Sequence, residues 1–301
     1  MKNIIKNGRL VEEAKKSRYL PNVLLAIVIV HAFIFLGEYL LYIGEYVIMP
    51  LTGYENYSLL GTIDLISSNI GIAALVFIWV WFVEKRRVSS IGLYRNKWFK
   101  NYMKGVIFGF LQFSTLTAIL LITGNARINP EPDMIVGLAA ISSVLIIMPG
   151  WIVQGATEEI LVRGWLLNTV SAKYNAAVGI LVSSSFFSLM HIFNDGVSVL
   201  AMTNLILDGM LFSLYVFRTG NIWGACGAHF AWNWVQGNIF GLGVSGSYYG
   251  DGTLIQLSLS GNELLTGGYY GPEGGIVFTF VTVLFILIVL KYPLKKDLSD
   301  D

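Results

Sequence analysis

A single cysteine, Cys226, in 301 residues excludes an intramolecular disulfide. No C-x-x-C pair or Cys/His cluster accompanies it, so zinc-finger and dithiol redox chemistry are excluded too, and Cys226 reads as a small packing residue. Charge is scarce: Asp, Glu, Lys and Arg make up 13% of the chain against 55% hydrophobic residues. That composition lies far from a soluble domain and inside the polytopic membrane class. The formal net charge is only +1, which offers no basic field to a polyanion, and no nucleic-acid partner is expected.

What the chain has instead is long apolar runs. Crossing a bilayer as a helix takes about 20 apolar residues, and eight stretches qualify: 20–48, 59–83, 103–124, 135–158 and beyond, 176–193, 197–217, 222–240 and 275–290. The first run is too long for a signal-peptide core and lacks a clear cleavage site, so residues 1–19 read as a cytoplasmic tail before an uncleaved anchor. Every Lys and Arg of the 20 except Arg127 falls in alternate loops or in the tails. Eight helices with both termini cytoplasmic satisfy the positive-inside rule, and an odd number would break it. The expectation is an all-α, polytopic cell-membrane protein, one domain over residues 1–301, with eight transmembrane helices around an intramembrane polar cavity. Pro149-Gly150 interrupts the fourth run and predicts a helix restarting near Trp151 after a kink or break. Residues 241–274, rich in Gly and Tyr and without Lys or Arg, predict an ordered or half-ordered extracytoplasmic loop.

The few charges inside the apolar runs carry the chemical signal. Glu159 and Arg163 are spaced i,i+4 and can neutralise each other on one helix face. Glu158 lies about 100° round the helix without that partner. A buried carboxylate left without a cation is suited to exchange protons near neutral pH. The same three residues equally suit an interfacial ion-pair cluster that pins a helix end. Phe187 and His191 stand one turn apart on the fifth run. His229 and Asn233 repeat that spacing on the seventh, where imidazole and carboxamide donors can point at one spot and hold an oxyanion. Interhelical hydrogen bonding that merely fastens the bundle is the competing explanation.

Glu158-Glu159-x-x-x-Arg163, Phe187-x-x-x-His191, the run from Arg218 to Trp223, and His229-x-x-x-Asn233 together resemble the ordered motifs of the CAAX protease and bacteriocin-processing family, whose eukaryotic members are the type II CAAX prenyl endopeptidases. The resemblance covers residues 150–233, the expected motif-bearing core, and extends to the Gly-rich stretch 264–275. It implies an intramembrane peptidase in which Glu158, with His191, activates water while His229 and Asn233 stabilise the tetrahedral oxyanion. Glu159 and Arg163 then have a structural role, with Phe187 in support. A zinc set of Glu158, His191 and His229 is conceivable. A metal-free mechanism is preferred, because the chain has no H-E-x-x-H helix and no obvious carboxylate on a matching face to orient a metal-binding histidine. The implied partners are membrane lipid and a peptide or lipidated-protein substrate: a CAAX-type tail, a leader, or a bacteriocin or pheromone precursor.

A non-catalytic bacteriocin self-immunity or partner-binding protein is the alternative, and a small transporter is a third, opposed by the lack of an inverted repeat. Asn204 and Asp208, one turn apart on the sixth run, are expected to bond a neighbouring helix. His31 is expected to pack or face lipid, and Glu38, Glu45 and Asp64 to sit at the interface. Arg86-Arg87 and Lys97-Lys100-Lys104 read as orientation signals in contact with anionic lipid, and Trp79, Trp81 and Trp98 as a belt beside them.

Overall fold

The computed structural model describes residues 8–39, 43–51, 56–129 and 134–291. The parts of the basic tails at 1–7 and 292–301, and the side chain of Glu45, lie outside the described residues. Helices dominate. A short amphipathic helix α1 (Arg9–Lys15) precedes α2 (Val23–Gly37), α3 (Tyr57–Ile78, widening into a π-helical turn at Trp79–Val83) and α4 (Trp98–Ile122). Next comes α5 (Ile141–Glu159), which passes without a break through a π-helical stretch, Ile160–Leu166, into α6 (Leu167–Lys173). α7 (Ala176–Leu189), α8 (Val199–Thr219), α9 (Trp223–Trp234) and α10 (Ile276–Lys291) complete the set. Every apolar run read from the sequence contains a helix. Among the described residues, four helical segments are long and apolar enough to cross a membrane: Tyr57–Val83, Trp98–Ile122, Gly137–Lys173 and Val199–Thr219. Val23–Gly37, Ala176–Leu189 and Ile276–Lys291 are shorter apolar helices. This is a membrane protein.

Local chemistry sets the helix starts. Asn22, Asn56, Asn175 and Ser198 each turn a side-chain oxygen onto the backbone N–H three residues ahead, satisfying one of the orphan donors of a first turn. α8 ends on Gly220 at φ +70°, and the Asn221 side chain then receives the Trp223 N–H at 3.1 Å. The run from Arg218 to Trp223 is therefore the tight reversal that lays α9 back into the bundle.

Close backbone approaches decide where α9 sits. A Cβ placed on Gly105 of α4 would lie 1.8 Å from the Gly224 carbonyl oxygen, and one on Gly109 would lie 2.2 Å from that of Ala228. Two small residues four apart thus let α4 and α9 touch along their main chains, as in other membrane helix pairs.

Two expectations are corrected. The helix does not restart at Trp151, because Pro149 lies inside a continuous α5. The neighbouring Ile146 carbonyl, one residue past the Leu145 carbonyl that the proline deprives of its donor, accepts a bond from Thr62 Oγ1 of α3 at 2.7 Å. The helix irregularity comes later, in the π-helical stretch, where Asn168 Nδ2 donates to the carbonyls of Arg163 and Gly164 at 2.8 and 3.0 Å. Arg163, secondly, does not lie in a loop between helices. It is fully buried, and the helix runs on to Lys173, about 15 Å further at 1.5 Å per residue.

The Gly/Tyr-rich segment is ordered, and it adds short strands to a chain expected to be all helix. β1 (Ala126–Ile128) pairs antiparallel with β4 (Leu257–Leu259), Ala126 opposite Leu259, and β2 (Ile135–Val136) pairs in parallel with β3 (Gly252–Thr253). Side chains bind the segment to the helices beneath it: Asn238 Nδ2 reaches the Tyr249 carbonyl at 3.0 Å, and Ser58 Oγ reaches Asp251 at 2.6 Å.

Candidate active site

The glutamate doublet stands where α5 crosses α9. Gly155, one turn before it, has no side chain to hold the helices apart; a Cβ there would lie 2.9 Å from the Phe230 nitrogen. Residues 158 and 159, three and four positions on, therefore emerge on the face turned toward α9. His229 adjoins the same crossing point.

The two glutamates have different surroundings. Glu159 is fully buried, and its Oε1 accepts from Arg163 Nη1 at 2.8 Å and from His229 Nδ1 at 3.0 Å. The guanidinium lies over the Phe187 ring, 4.3 Å from its centroid, with the Phe212 ring at 5.4 Å. Phe187 also contacts both imidazoles, with ring centroids 5.0 Å from His191 and 6.0 Å from His229. Phe187 therefore touches the guanidinium and both imidazoles. Glu158 keeps 14% of its side chain exposed, toward a cavity. Its Oε1 accepts from Gln154 Nε2, whose own Oε1 accepts from Asn233 Nδ2 at 2.9 Å. Its Oε2 is buried without a hydrogen-bond partner and faces His229 Nε2 at 3.8 Å, beyond a direct hydrogen bond.

The cavity has a volume of about 500 Å³ and is lined by Glu158, His191, His229 and Asn233, with Asp208 and Glu273 among the remaining polar groups. His191 lies just beyond the end of α7, and its Nδ1 meets the Phe187 carbonyl at 2.9 Å. A carbonyl only accepts, so Nδ1 carries the proton and the neutral ring offers a bare Nε2. The same logic holds for His229, whose Nδ1 faces a carboxylate: only the imidazolium form has an Nε2–H to donate. The sequence reading, a neutral imidazole acting as donor, therefore needs amending for His229.

Sequence reasoning assigned no role to two cavity residues, Gln154 and Glu273, and gave a third, Asp208, only a bond to a neighbouring helix. Gln154 sits one turn before Glu158 at i,i+4, and that spacing is a signal in the sequence. Glu273 comes from the Gly-rich segment; its carboxylate accepts from the Ser245 N–H at 2.9 Å and Trp232 Nε1 at 3.2 Å, a convergence no local pattern announces. Asp208 both lines the cavity and accepts from Gln112 Nε2 of α4 at 3.3 Å, whereas Asn204 bonds the carbonyls of Glu273 and Gly275 at the start of α10. His31 and Glu38 also line the cavity. Among the described residues no three His, Cys, Asp or Glu side chains converge as metal ligands, although Glu159 on His229 Nδ1 is the kind of carboxylate that orients a metal-binding imidazole through its other nitrogen.

The family model described as Type II CAAX prenyl endopeptidase Rce1-like matches residues 140–235, a stretch containing Glu158, Glu159, Arg163, Phe187, His191, His229 and Asn233. The motif resemblance and this match name the same family. No curated protein and no solved structure matches the chain.

Proposed function

We propose that the chain is an intramembrane endopeptidase that hydrolyses a peptide bond of a membrane-associated peptide or lipidated protein, with Glu158 activating the water. The observation that carries this reading is Glu158 itself. One carboxylate oxygen is fixed by Gln154, the other is buried without a partner 3.8 Å from His229 Nε2, and the residue lines a cavity with both histidines. A water between Oε2 and His229 Nε2 gives up a proton to Glu158 as its oxygen attacks the scissile carbonyl carbon. His191 Nε2 accepts the water's second hydrogen bond and aims it. The carbonyl oxygen, now carrying negative charge, is held by the imidazolium Nε2–H of His229 and by the Asn233 amide N–H not used on Gln154. As the C–N bond breaks, Glu158 returns its proton to the leaving amine nitrogen. No step passes through a metal.

The same proposal places eight helices across the cell membrane with both termini cytoplasmic, as one domain over residues 1–301. Residues 150–233 form the catalytic core and 241–274 the extracytoplasmic loop. The substrate is a CAAX-type tail, a leader, or a bacteriocin or pheromone precursor. The test uses membranes containing the full chain and a set of quenched fluorescent peptides, comprising a farnesylated CAAX peptide and unprenylated leader peptides. Cleavage by the wild type that disappears in Glu158→Gln supports the reading, and equal cleavage by both sinks it.

A further inference from the structure

The geometry points to a second binding site, for a phosphate-bearing anion, at the end of the molecule where α1 packs against the segment after α3. A recess of about 430 Å³ there is walled by Arg9, Lys85, Arg86, Arg87 and Tyr94, with Lys16 and Glu13 at its edge. Charge alone would describe any solvated basic surface; two buried donors distinguish this one. Arg86 has a side chain only 5% exposed, with Nε on Glu84 and Nη1 on Ser90 Oγ at 2.9 Å, while Nη2 has no partner. The Tyr94 hydroxyl is likewise buried without a partner. Unpaired buried donors are uncommon and costly, and here both belong to side chains of one recess.

The surrounding charge is in surplus. Glu84 offsets Arg86 and Glu13 offsets Lys16. Among the described residues Arg9, Lys85 and Arg87 make no ion pair; Arg9 instead lies over the Tyr94 ring at 3.9 Å. Burial pushes the Tyr94 phenol up to about 12, with Arg9 and Arg86 pulling the other way, so its hydroxyl remains a donor at physiological pH. A planar guanidinium edge beside a phenol and three surplus cations suits a phosphate or phosphodiester, which accepts several charge-assisted bonds at once. Glu84 also accepts from Trp165 Nε1 at 2.6 Å, which ties the recess to the π-helical stretch carrying Arg163.

The ligand is a phosphodiester headgroup of an anionic lipid or free phosphate, and titration separates them. Full-length protein, delipidated in a nonionic detergent, is titrated with inorganic phosphate, short-chain phosphatidylglycerol and short-chain phosphatidylcholine, with thermal unfolding and native mass spectrometry as readouts. Phosphatidylglycerol binding at least about tenfold tighter than phosphatidylcholine identifies a lipid site, and equivalent protection by phosphate alone identifies a free-phosphate site. Arg86 is left intact, because removing it strands Glu84. Tyr94→Phe leaves the charge unchanged and is expected to weaken binding about tenfold, the scale of one hydrogen bond to a charged group. Arg9→Ala with Arg87→Ala does the same, while Lys100→Ala with Lys104→Ala does not. Equal affinity for all three probes overturns the site. So does a Tyr94→Phe protein with undiminished binding, since diffuse surface charge would then account for the attraction.

Discussion

Adjacent glutamates open onto two regions with opposite character. Behind Glu159 the interior is dry: Arg163 is fully buried, flanked by Phe187 and Phe212, and the nearby Asn168 amide spans the carbonyls freed by the π-helical stretch. In front of Glu158 lies the cavity, with an unpartnered carboxylate oxygen and a chain of amides from Gln154 to Asn233. About 100° of helix rotation separates a charge spent on structure from one available for chemistry. His229 joins the two, with one ring nitrogen bonded to the dry side and the other facing the cavity.

The comparison is broken most sharply at Glu158. Glu158→Gln keeps the size and the contact with Gln154 and removes only the base, so cleavage by membranes falls about 10²–10⁴-fold while the thermal unfolding midpoint of the purified protein stays put. Loss of folding in this variant would show that the front carboxylate is structural after all. Arg163→Met strands Glu159 in the dry region and is expected to cost about 3–5 kcal/mol of stability, read from denaturant unfolding in detergent. Adding Glu159→Gln to it restores most of that loss, because a buried pair replaced as a unit is tolerated far better than half of one. A double variant no more stable than the single would mean that the pair does not act as a unit.

A smaller effect is expected where neither region's charges are touched. Gly109→Val inserts side-chain atoms where the α4 and α9 main chains meet, and overpacking of this kind costs about 1–3 kcal/mol. Because α9 carries His229 and Asn233, activity should fall together with the unfolding midpoint. A Gly109→Val protein of normal stability and activity would remove close packing as the reason α9 lies where it does.

How much of this was legible in the sequence depended on the range of the interaction. The Glu159–Arg163 pair was readable because i,i+4 is a local rule, and the helices were readable because apolar length is local too. The bond from His229 Nδ1 to Glu159 was not, since it joins positions 70 apart and depends on Gly155 letting two helices meet. Pro149 misled for a related reason: the proline rule is local, but α5 is held straight through that point by its packing against α3, to which Thr62 adds a bond at the Ile146 carbonyl. Glu273 stood in a stretch already singled out for its glycines, yet its place on the cavity wall depends on Trp232 and Ser245. The Gly105 and Gly109 spacing was present in the sequence as a recognisable small-x-x-x-small pattern and was passed over.

The mildest and most discriminating change is at Gln154, whose amide separates the two proposed tasks of the cavity. Its Nε2 fixes Glu158 Oε1, and its Oε1 holds one N–H of Asn233, so the side chain orients both the base and an oxyanion donor without touching the water itself. Gln154→Ala leaves Glu158 free to rotate and Asn233 without its anchor. One hydrogen bond to a charged group is worth about 1.5–3 kcal/mol, but the cavity is wet enough for water to replace part of it, so a loss in kcat of about tenfold is expected with KM little changed. Gln154→Glu is the sharper probe: its size is retained, but a second carboxylate stands against Glu158 and the donor is gone. Its activity should fall below that of the alanine variant and recover as pH is lowered enough to protonate one of the two acids. If Gln154→Ala and Gln154→Glu have the same pH profile as the wild type, Gln154 does not position Glu158, and the free Oε2 is aimed by the backbone of α5 alone.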